Sequence, residues 1–378
     1  MKFNPTHFQP GVWQRITKIL SSNRVGSAYL FSGPEGSGKE AIALAFSAAL
    51  NCQGNEIVCG KCSSCIRFAT MQHEHLHVVV PLPRKKTSFD KDTDVLTIIG
   101  DDNAALLTDL LQKKGSDPFQ KIKLPRAKRI LINSIRELRK KLYLKSVDYG
   151  YKTVLIFDAH FLSDGDGASA NALLKILEEP PKKTTLILVT DHKSMLLSTI
   201  QSRCQQIDFP PISQDIVSAY LTERGVGLRE SEFYAYLSDG NIHKARFLSE
   251  RPIADILKIM KDQVEIVVNP NGNDWRTYIN NMSRKVRTNP EEFNFELFLL
   301  QTWFHQSYRL CQNINAPLAQ NGFADALKLF STSYPHANLT AVNSVIETTM
   351  ESVNRNFYMP LTLTNMLVDI QHYLKGKA

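Results

Sequence analysis

The feature that most constrains the fold is the glycine-rich segment GPEGSGKE at residues 33–40. It follows a short apolar run, AYLF, and precedes the helical pattern AIALAFSAAL, so the sequence predicts a strand, a tight turn and a helix in succession. Backbone N–H groups at the start of such a helix can hold a polyphosphate, and Lys39 would neutralise its outer phosphates. The spacing predicts a P-loop; a turn without a ligand is the alternative.

Two positions depart from a working P-loop ATPase site. Glu40 stands where a Ser or Thr hydroxyl normally ligates Mg²⁺, so its carboxylate would repel phosphate or bind the metal in a different geometry. The apolar run YKTVLIFDAH predicts a second strand that ends at Asp158, whose carboxylate could hold Mg²⁺ through water. The next residue, which carries the water-activating acid in hydrolysing enzymes of this layout, is Ala159. We therefore expect weak or absent binding of ATP with Mg²⁺ and no hydrolysis.

Four of the six cysteines are crowded into the segment NCQGNEIVCGKCSSC. Four thiolates at this spacing can close a tetrahedral site of the structural Zn²⁺ type, and in a reducing compartment a metal site is favoured over disulfides. The predicted ligands are Cys52, Cys59, Cys62 and Cys65. Free thiols in a loop are the alternative. The rival ligands His73, His75 and His77 are interpreted as surface or strand histidines, since four cysteines already satisfy zinc.

Composition excludes few functions. The 378 residues are 43% hydrophobic and 22% charged, which predicts two or three globular domains. The formal charge of +8 permits nucleic-acid contact without showing it. No apolar run approaches the length of a membrane span, and the amino end lacks the apolar core of a signal peptide, so we expect a cytoplasmic protein with no membrane contact.

The remaining segments alternate between predicted strands and helices up to about residue 210 and are helical after it. HVVVPLP and TTLILVTDH have the apolar runs of buried strands. Residues 84–126 are irregular apart from a predicted helix, NAALLTDLLQKK, and are interpreted as an insertion. From Arg251 onward only helical periodicity remains, broken near residues 269–274, at 288–292 and around Pro335. The aromatic residues between Phe293 and Tyr308 are at helical spacing, which predicts packing rather than a ligand site.

The order of these segments resembles the clamp-loader branch of the AAA+ ATPases and, within it, the delta-prime subunits of bacterial DNA polymerase III. The resemblance covers residues 28–209. It is carried by AYLFSGPEGSGKE, the four-cysteine insertion, SIRELRKKL, VLIFDAH, NALLKILEEPP and LLSTIQSRC. Beyond Pro210 the similarity is weaker, although GNIHKARFL lies at the family's second nucleotide-sensing helix and NRNFYMPLTLTNMLVDI resembles its last collar helix.

The resemblance implies a role for each site residue. The nucleotide-binding positions would be Gly33, Gly36, Ser37, Gly38, Lys39, Glu40, Asp158 and Thr190. His243 stands where hydrolysing members usually carry a sensor arginine. The arginine of the SRC motif, which in this family reaches the ATP of a neighbouring subunit, is present as Arg203; pairing with a local carboxylate is the alternative.

The resemblance also implies three domains and a set of partners. We expect an α/β AAA+ P-loop domain with a parallel sheet and a zinc knuckle at residues 1–210, a helical lid at 211–250, in which Ser213 caps the first helix, and an all-helical collar at 251–378. The partners would be other clamp-loader subunits in a hetero-oligomeric ring, with primed DNA and the sliding clamp reached through that complex.

Three functions are open at this point. The first is a non-hydrolysing assembly subunit of a clamp loader that supplies Arg203 to a neighbour. The second is an active AAA+ ATPase in which Glu40 or Asp164 substitutes for a missing group. The third is a nucleic-acid-binding zinc-knuckle protein whose P-loop is vestigial; it predicts salt-sensitive DNA binding by the isolated chain.

Overall fold

The computed structural model describes residues 4–22, 24–54, 56–84, 93–144, 150–165, 167–312, 324–353 and 357–376. Residues 85–92 of the insertion and residues 354–356 of the last predicted collar segment lie outside these ranges. The chain divides into two compact units, residues 1–248 and 249–378, and each is described by itself.

A parallel sheet forms the centre of the first unit. Within the described residues it has five strands in the order β2-β3-β4-β1-β5, all parallel. The strands are β1 Ala28–Ser32, β2 Leu76–Val79, β3 Lys152–Ile156, β4 Thr184–Thr190 and β5 Gln205–Asp208. Because all strands are parallel and the P-loop follows β1, it lies at the carboxyl edge of the sheet, where ligands bind in open α/β folds.

Helices cover both faces of the sheet. They are α1 Pro5–Phe8, α2 Pro10–Ser21, α3 Lys39–Leu50, α4 Ser63–Ala69, α5 Val95–Ile99, α6 Asp101–Ser116, α7 Ile132–Tyr143, α8 Ala168–Glu178 and α9 Ser198–Gln201. Side chains alternate along a strand, so Leu30 joins the core beneath α7 and α8, while the ring of Tyr29 lies 5.3 Å from that of Phe46 on α3. The predicted α/β fold class is confirmed.

Three short helices complete the first unit: α10 Gln214–Thr222, α11 Leu228–Ser238 and α12 Ile242–Ser249. Ser213 lies at the N-cap position of α10, but its side chain makes no capping hydrogen bond. The amide N–H of Ile242 donates to the carbonyl of Gly36 at 3.2 Å, so the start of α12 contacts the P-loop.

The second unit is helical throughout its described residues. It contains α13 Ile253–Val268, α14 Gly272–Thr288, α15 Pro290–Cys311, α16 Ala324–Ser333, α17 Leu339–Ser352 and α18 Met359–Leu374. Asn289 caps α15 by accepting from the N–H of Glu292 at 3.2 Å, and Pro290 fits the first helical position. Most of the predicted aromatic stripe is buried, namely Phe293, Phe295, Trp303 and Phe304, whereas Tyr308 is 38% exposed.

No helix within the described ranges is long and apolar enough to cross a membrane.

Candidate functional site

The P-loop has the backbone that its glycines predict. Gly36 and Gly38 have φ angles of 70° and 83°, in the left-handed region that favours glycine, and Gly38 caps the amino end of α3. A Cβ atom on Gly33 would collide with the carbonyl oxygen of Phe209, and one on Gly36 with the side chain of Asn241. The turn is therefore closely packed between β5 and the start of α12.

Lys39 is bound by its own loop. Its ammonium donates to the carbonyls of Gly33 at 2.8 Å and Pro34 at 2.6 Å, and it lies 2.7 Å from a carboxylate oxygen of Asp191. Burial lowers the pKa of Lys39, and the Asp191 carboxylate opposes that change. Burial alone would raise the pKa of Asp191, but Lys121 and Lys39 outweigh it and bring the pKa to about 2. The contact is thus a buried ion pair at neutral pH.

Glu40 is neutralised by lysines of the insertion. Its carboxylate pairs with Lys114, which is fully buried, and lies 3.7 Å from the Nζ of Lys121. Burial favours the neutral acid, but the two lysines together hold the pKa of Glu40 below its ordinary value. Glu40 is therefore an ionised partner of protein cations in this arrangement.

Asp158 follows β3 and shares a cation with Asp191. The Nζ of Lys121 lies 3.3 Å from Asp158 Oδ1 and 3.2 Å from Asp191 Oδ2. Burial raises the pKa of Asp158, and Lys121 counteracts it. The next residue is the buried Ala159, so the position that would carry a general base has no titratable group.

Thr190 ends β4 beside Ser32 of β1. Its hydroxyl lies 3.1 Å from Nδ1 of His160 and accepts from the N–H of His192 at 3.0 Å. The predicted nucleotide-binding residues thus converge at one edge of the sheet, and the Thr190 hydroxyl is bonded both to its own loop and to His160.

The space left beside the P-loop is small. The cavity has a volume of about 20 Å³ and is lined by residues that include Lys39, Glu40, Lys114, Phe119, Lys121 and His243. This volume holds about one water molecule, far less than a triphosphate occupies. Burial lowers the pKa of His243 to about 4, so this side chain is neutral at physiological pH.

Arg203 lies just beyond α9 and is 37% exposed. Its guanidinium donates to the carbonyl of Thr199 at 3.0 Å and pairs with Glu178 at 2.9 Å. Neither partner belongs to the P-loop pocket. An ion pair this exposed contributes about 0–1 kcal/mol, so the guanidinium can leave Glu178 for a stronger anion at low cost.

The four predicted cysteines form a compact cluster in the segment between α3 and α4 and the first turn of α4. Their Sγ atoms all lie within 4.8 Å of one another, and those of Cys59 and Cys65 are 3.9 Å apart. A tetrahedral Zn²⁺ with bonds of about 2.3 Å places sulfurs about 3.8 Å apart, so the spacing fits. The cluster could therefore hold a metal ion such as zinc.

Backbone N–H groups prepare the cluster for thiolates. The amides of Cys59, Cys62 and Cys65 point at the sulfurs of Cys52, Cys59 and Cys62 respectively, each at 3.4 Å. The N–H of Cys65 is the main cause that lowers the pKa of Cys62 to about 6, whereas burial raises the pKa of Cys65. Donors to sulfur favour the charged form that a metal requires.

One of the neighbouring histidines, His73, contacts the helix that carries Cys65. His73 and His75 are 6% and 3% exposed, so the expectation of surface histidines is wrong for these two. The N–H of His75 donates to Nδ1 of His73 at 3.1 Å, which leaves the proton on Nε2, 3.0 Å from Ser64 Oγ. His77 lies on β2, as the strand interpretation predicts.

Three charged residues of the pocket were not predicted: Lys114, Lys121 and Asp191. Asp191 directly follows Thr190 at the end of a predicted strand, a position that could have indicated it. The two lysines lie in the irregular insertion and carry no local signal.

Comparison with known proteins identifies the family. The model of the family described as DNA polymerase III, delta subunit, matches residues 8–213, more than half of the chain. The chain belongs to this family. The resemblance inferred from the sequence is thereby confirmed.

Individual relatives carry related names. The tau subunit of DNA polymerase III from Bacillus subtilis (strain 168) is 29% identical over 273 residues, covering 68% of this chain and 40% of the relative. The delta' subunit from the same organism is 29% identical over 245 residues, covering 64% of this chain and 59% of the relative. The chain thus spans about half the length of these two curated relatives.

Proposed function

We propose that this family member is a non-hydrolysing subunit of a DNA polymerase III clamp loader, which supplies Arg203 to ATP bound by a neighbouring subunit. The observation that carries the proposal is the contrast in availability between two cationic groups. Lys39 is buried and bonded to its own loop and Asp191, whereas Arg203 is exposed and held by one surface carboxylate and one backbone carbonyl. A cation that acts on another chain's phosphate must be at the surface.

The lack of a base supports the same assignment. Ala159 stands at the position that would carry the general base, and the neighbouring Asp158 carboxylate is bound to Lys121. In the proposed assembly the chain contributes ring geometry and one arginine, and its partners contribute the hydrolysed nucleotide, the sliding clamp and primed DNA. We propose the same three domains as before: an AAA+ domain at residues 1–210, a lid at 211–250 and a collar at 251–378. The complex would act in the cytoplasm.

We also propose that the cysteine cluster holds structural Zn²⁺. Four sulfur ligands fill a tetrahedral shell and leave no position for a substrate, so the metal would stabilise the loop between α3 and α4 without taking part in chemistry.

The test of the trans-acting role is Arg203→Ala in a reconstituted loader. Because each 1.4 kcal/mol of lost transition-state stabilisation is about tenfold in rate, we expect DNA-stimulated ATP hydrolysis and clamp loading to fall about tenfold or more if this site controls the rate. Arg203→Lys should rescue only in part, since a point charge lacks the planar fork of the guanidinium.

Arg229→Ala is the matched control, because Arg229 is another exposed arginine of the first unit. It should leave both rates unchanged. An assembled Arg203→Ala loader with normal rates would contradict the trans-acting role. Hydrolysis by the isolated chain that disappears in Lys39→Ala would favour the active-ATPase alternative.

A further inference from the structure

The insertion places a cation among the acidic groups of the P-loop pocket. The single ammonium of Lys121 lies 3.2 Å from Asp191, 3.3 Å from Asp158 and 3.7 Å from Glu40. These carboxylates come from the ends of two strands and the first turn of α3, and they would repel one another without it. A cation held by several carboxylate oxygens is also how proteins bind hard metal ions, so Lys121 lies where a divalent cation would be stabilised.

A second lysine reinforces this arrangement. Lys114 on α6 is fully buried, pairs with Glu40, and its Nζ lies 5.2 Å from the centre of the Phe157 ring. Its helix is fixed from behind, because a Cβ on the adjacent Gly115 would lie 2.6 Å from the carbonyl oxygen of Ala69. The close approach of α6 to the end of α4 therefore directs Lys114 into the pocket.

The same segment contacts the short helices on the other side of the pocket. Asp117 pairs with Arg246 of α12 at 2.9 Å and lies 3.6 Å from Arg224 beyond α10. The ring of Phe119 lies 5.4 Å from that of Tyr220 on α10 and 4.8 Å from that of Phe8. The segment thus connects the sheet and P-loop with α10 and α12.

We propose that α6 and residues 117–126, here called the insertion arm, take the place of a metal-bound nucleotide in this pocket. Lys121 supplies the cation, Lys114 neutralises Glu40, and Asp117 with Phe119 joins the P-loop to α10 and α12. The arm thereby holds the first unit in one arrangement without ATP. This inference rests on the proposed function only in treating the pocket as one that does not turn over ATP.

The first test exchanges Lys121 for Ala in the full chain and measures the melting temperature with and without millimolar Mg²⁺. Removal of the ammonium leaves Asp158 and Asp191 without their shared cation, so we expect a lower Tm that Mg²⁺ raises by a few degrees. The wild type and Lys123→Ala should not respond to Mg²⁺; Lys123 is exposed and two residues away on the same segment. An identical Mg²⁺ response in all three proteins would overturn the assignment of Lys121.

The second test uses Asp117→Asn and does not depend on the folding of the Lys121 variant. Loss of the charge opposite Arg246 should increase amide hydrogen exchange in α12 severalfold. Asp109→Asn should not, since Asp109 is a half-exposed residue of α6 paired with Lys113. Unchanged exchange in α12 would show that the arm does not hold this helix. A loader with normal rates after Arg203→Ala would contradict the proposed function while leaving both of these results in place.

Discussion

The cysteine cluster and the P-loop pocket differ in how their charged groups are balanced. The cluster gathers four ligand atoms of one kind, with backbone amides that favour thiolates, so it could bind a metal cation from outside the chain. In the pocket, Lys39 is paired with Asp191, and Glu40 and Asp158 are paired with lysines of the insertion. The difference teaches that the residues of a binding motif can be paired within the chain, so the motif alone does not show that a ligand is bound.

Removal of one metal ligand should have the largest effect. We expect purified protein to carry about one Zn²⁺ per chain and Cys62→Ser to lose nearly all of it, since metal affinity in such sites depends on the full set of thiolates. The loop between α3 and α4 should then become sensitive to protease. Elemental analysis and limited proteolysis check this.

Cys311→Ser is the matched control, because Cys311 is exposed and lies outside the cluster. It should keep its metal. Wild-type protein that is free of metal, with a melting temperature unaffected by chelator, would contradict the zinc assignment. The cysteine cluster would then not differ from the P-loop pocket in needing an external cation.

Much of the fold follows from local pattern. The apolar runs at residues 28–31 and 184–190 form adjacent buried strands because β-branched and aromatic runs between turn residues fit a covered parallel sheet. The cysteine cluster was predictable for a related reason: its ligands lie within one short segment, so their spacing in the sequence determines their spacing in space. The helix breaks before Gly272 and Pro290 were likewise visible in the turn residues around them.

The partners of the P-loop residues were not predictable in this way. Lys114 and Lys121 are 74 and 37 positions from the carboxylates they contact, Glu40 and Asp158, and they lie near the end of α6 and in the segment after it. Sequence spacing carries no information about such long-range pairs. Ser213 lies at the predicted N-cap position but makes no capping hydrogen bond, because residue type indicates the position and not the side-chain rotamer.

A double-mutant cycle on Lys39 and Asp191 should give the next largest effect. Removal of either partner leaves a buried charge without its closest counter-ion, so each Ala variant should lower the free energy of unfolding by about 3 kcal/mol. The double variant should lose at least about 1 kcal/mol less than the sum of the singles. Urea unfolding of the isolated chain measures all three values.

Lys18→Ala is the control for this cycle, because Lys18 is exposed on α2 and should change stability by less than about 0.5 kcal/mol. If Lys39→Ala were as neutral as the control, Lys39 would be a free phosphate ligand and the pocket would not be balanced internally.

The smallest expected effect is a difference in pH dependence between the cysteine cluster and the P-loop pocket. Asp191 has a pKa of about 2, below its ordinary value near 3.8, so its stabilising contribution is complete above pH 3.8 and is lost as the pH falls through 2. Protons compete with metal for thiolates at higher pH than this. Zinc release, followed with a chromophoric chelator, should therefore precede any loss of the Lys39–Asp191 coupling as pH is lowered. Loss of both in one step would contradict this order.

Calorimetric titration of the isolated, zinc-loaded chain with ATP and Mg²⁺ tests the internal balance of the P-loop pocket most directly. Because Lys39, Glu40 and Asp158 already have partners and the cavity beside them holds about 20 Å³, we predict no saturable heat up to millimolar ATP. Tight, magnesium-dependent binding would contradict the account, since it would show that Glu40 and Asp158 form a working metal site and that the insertion does not occupy the pocket.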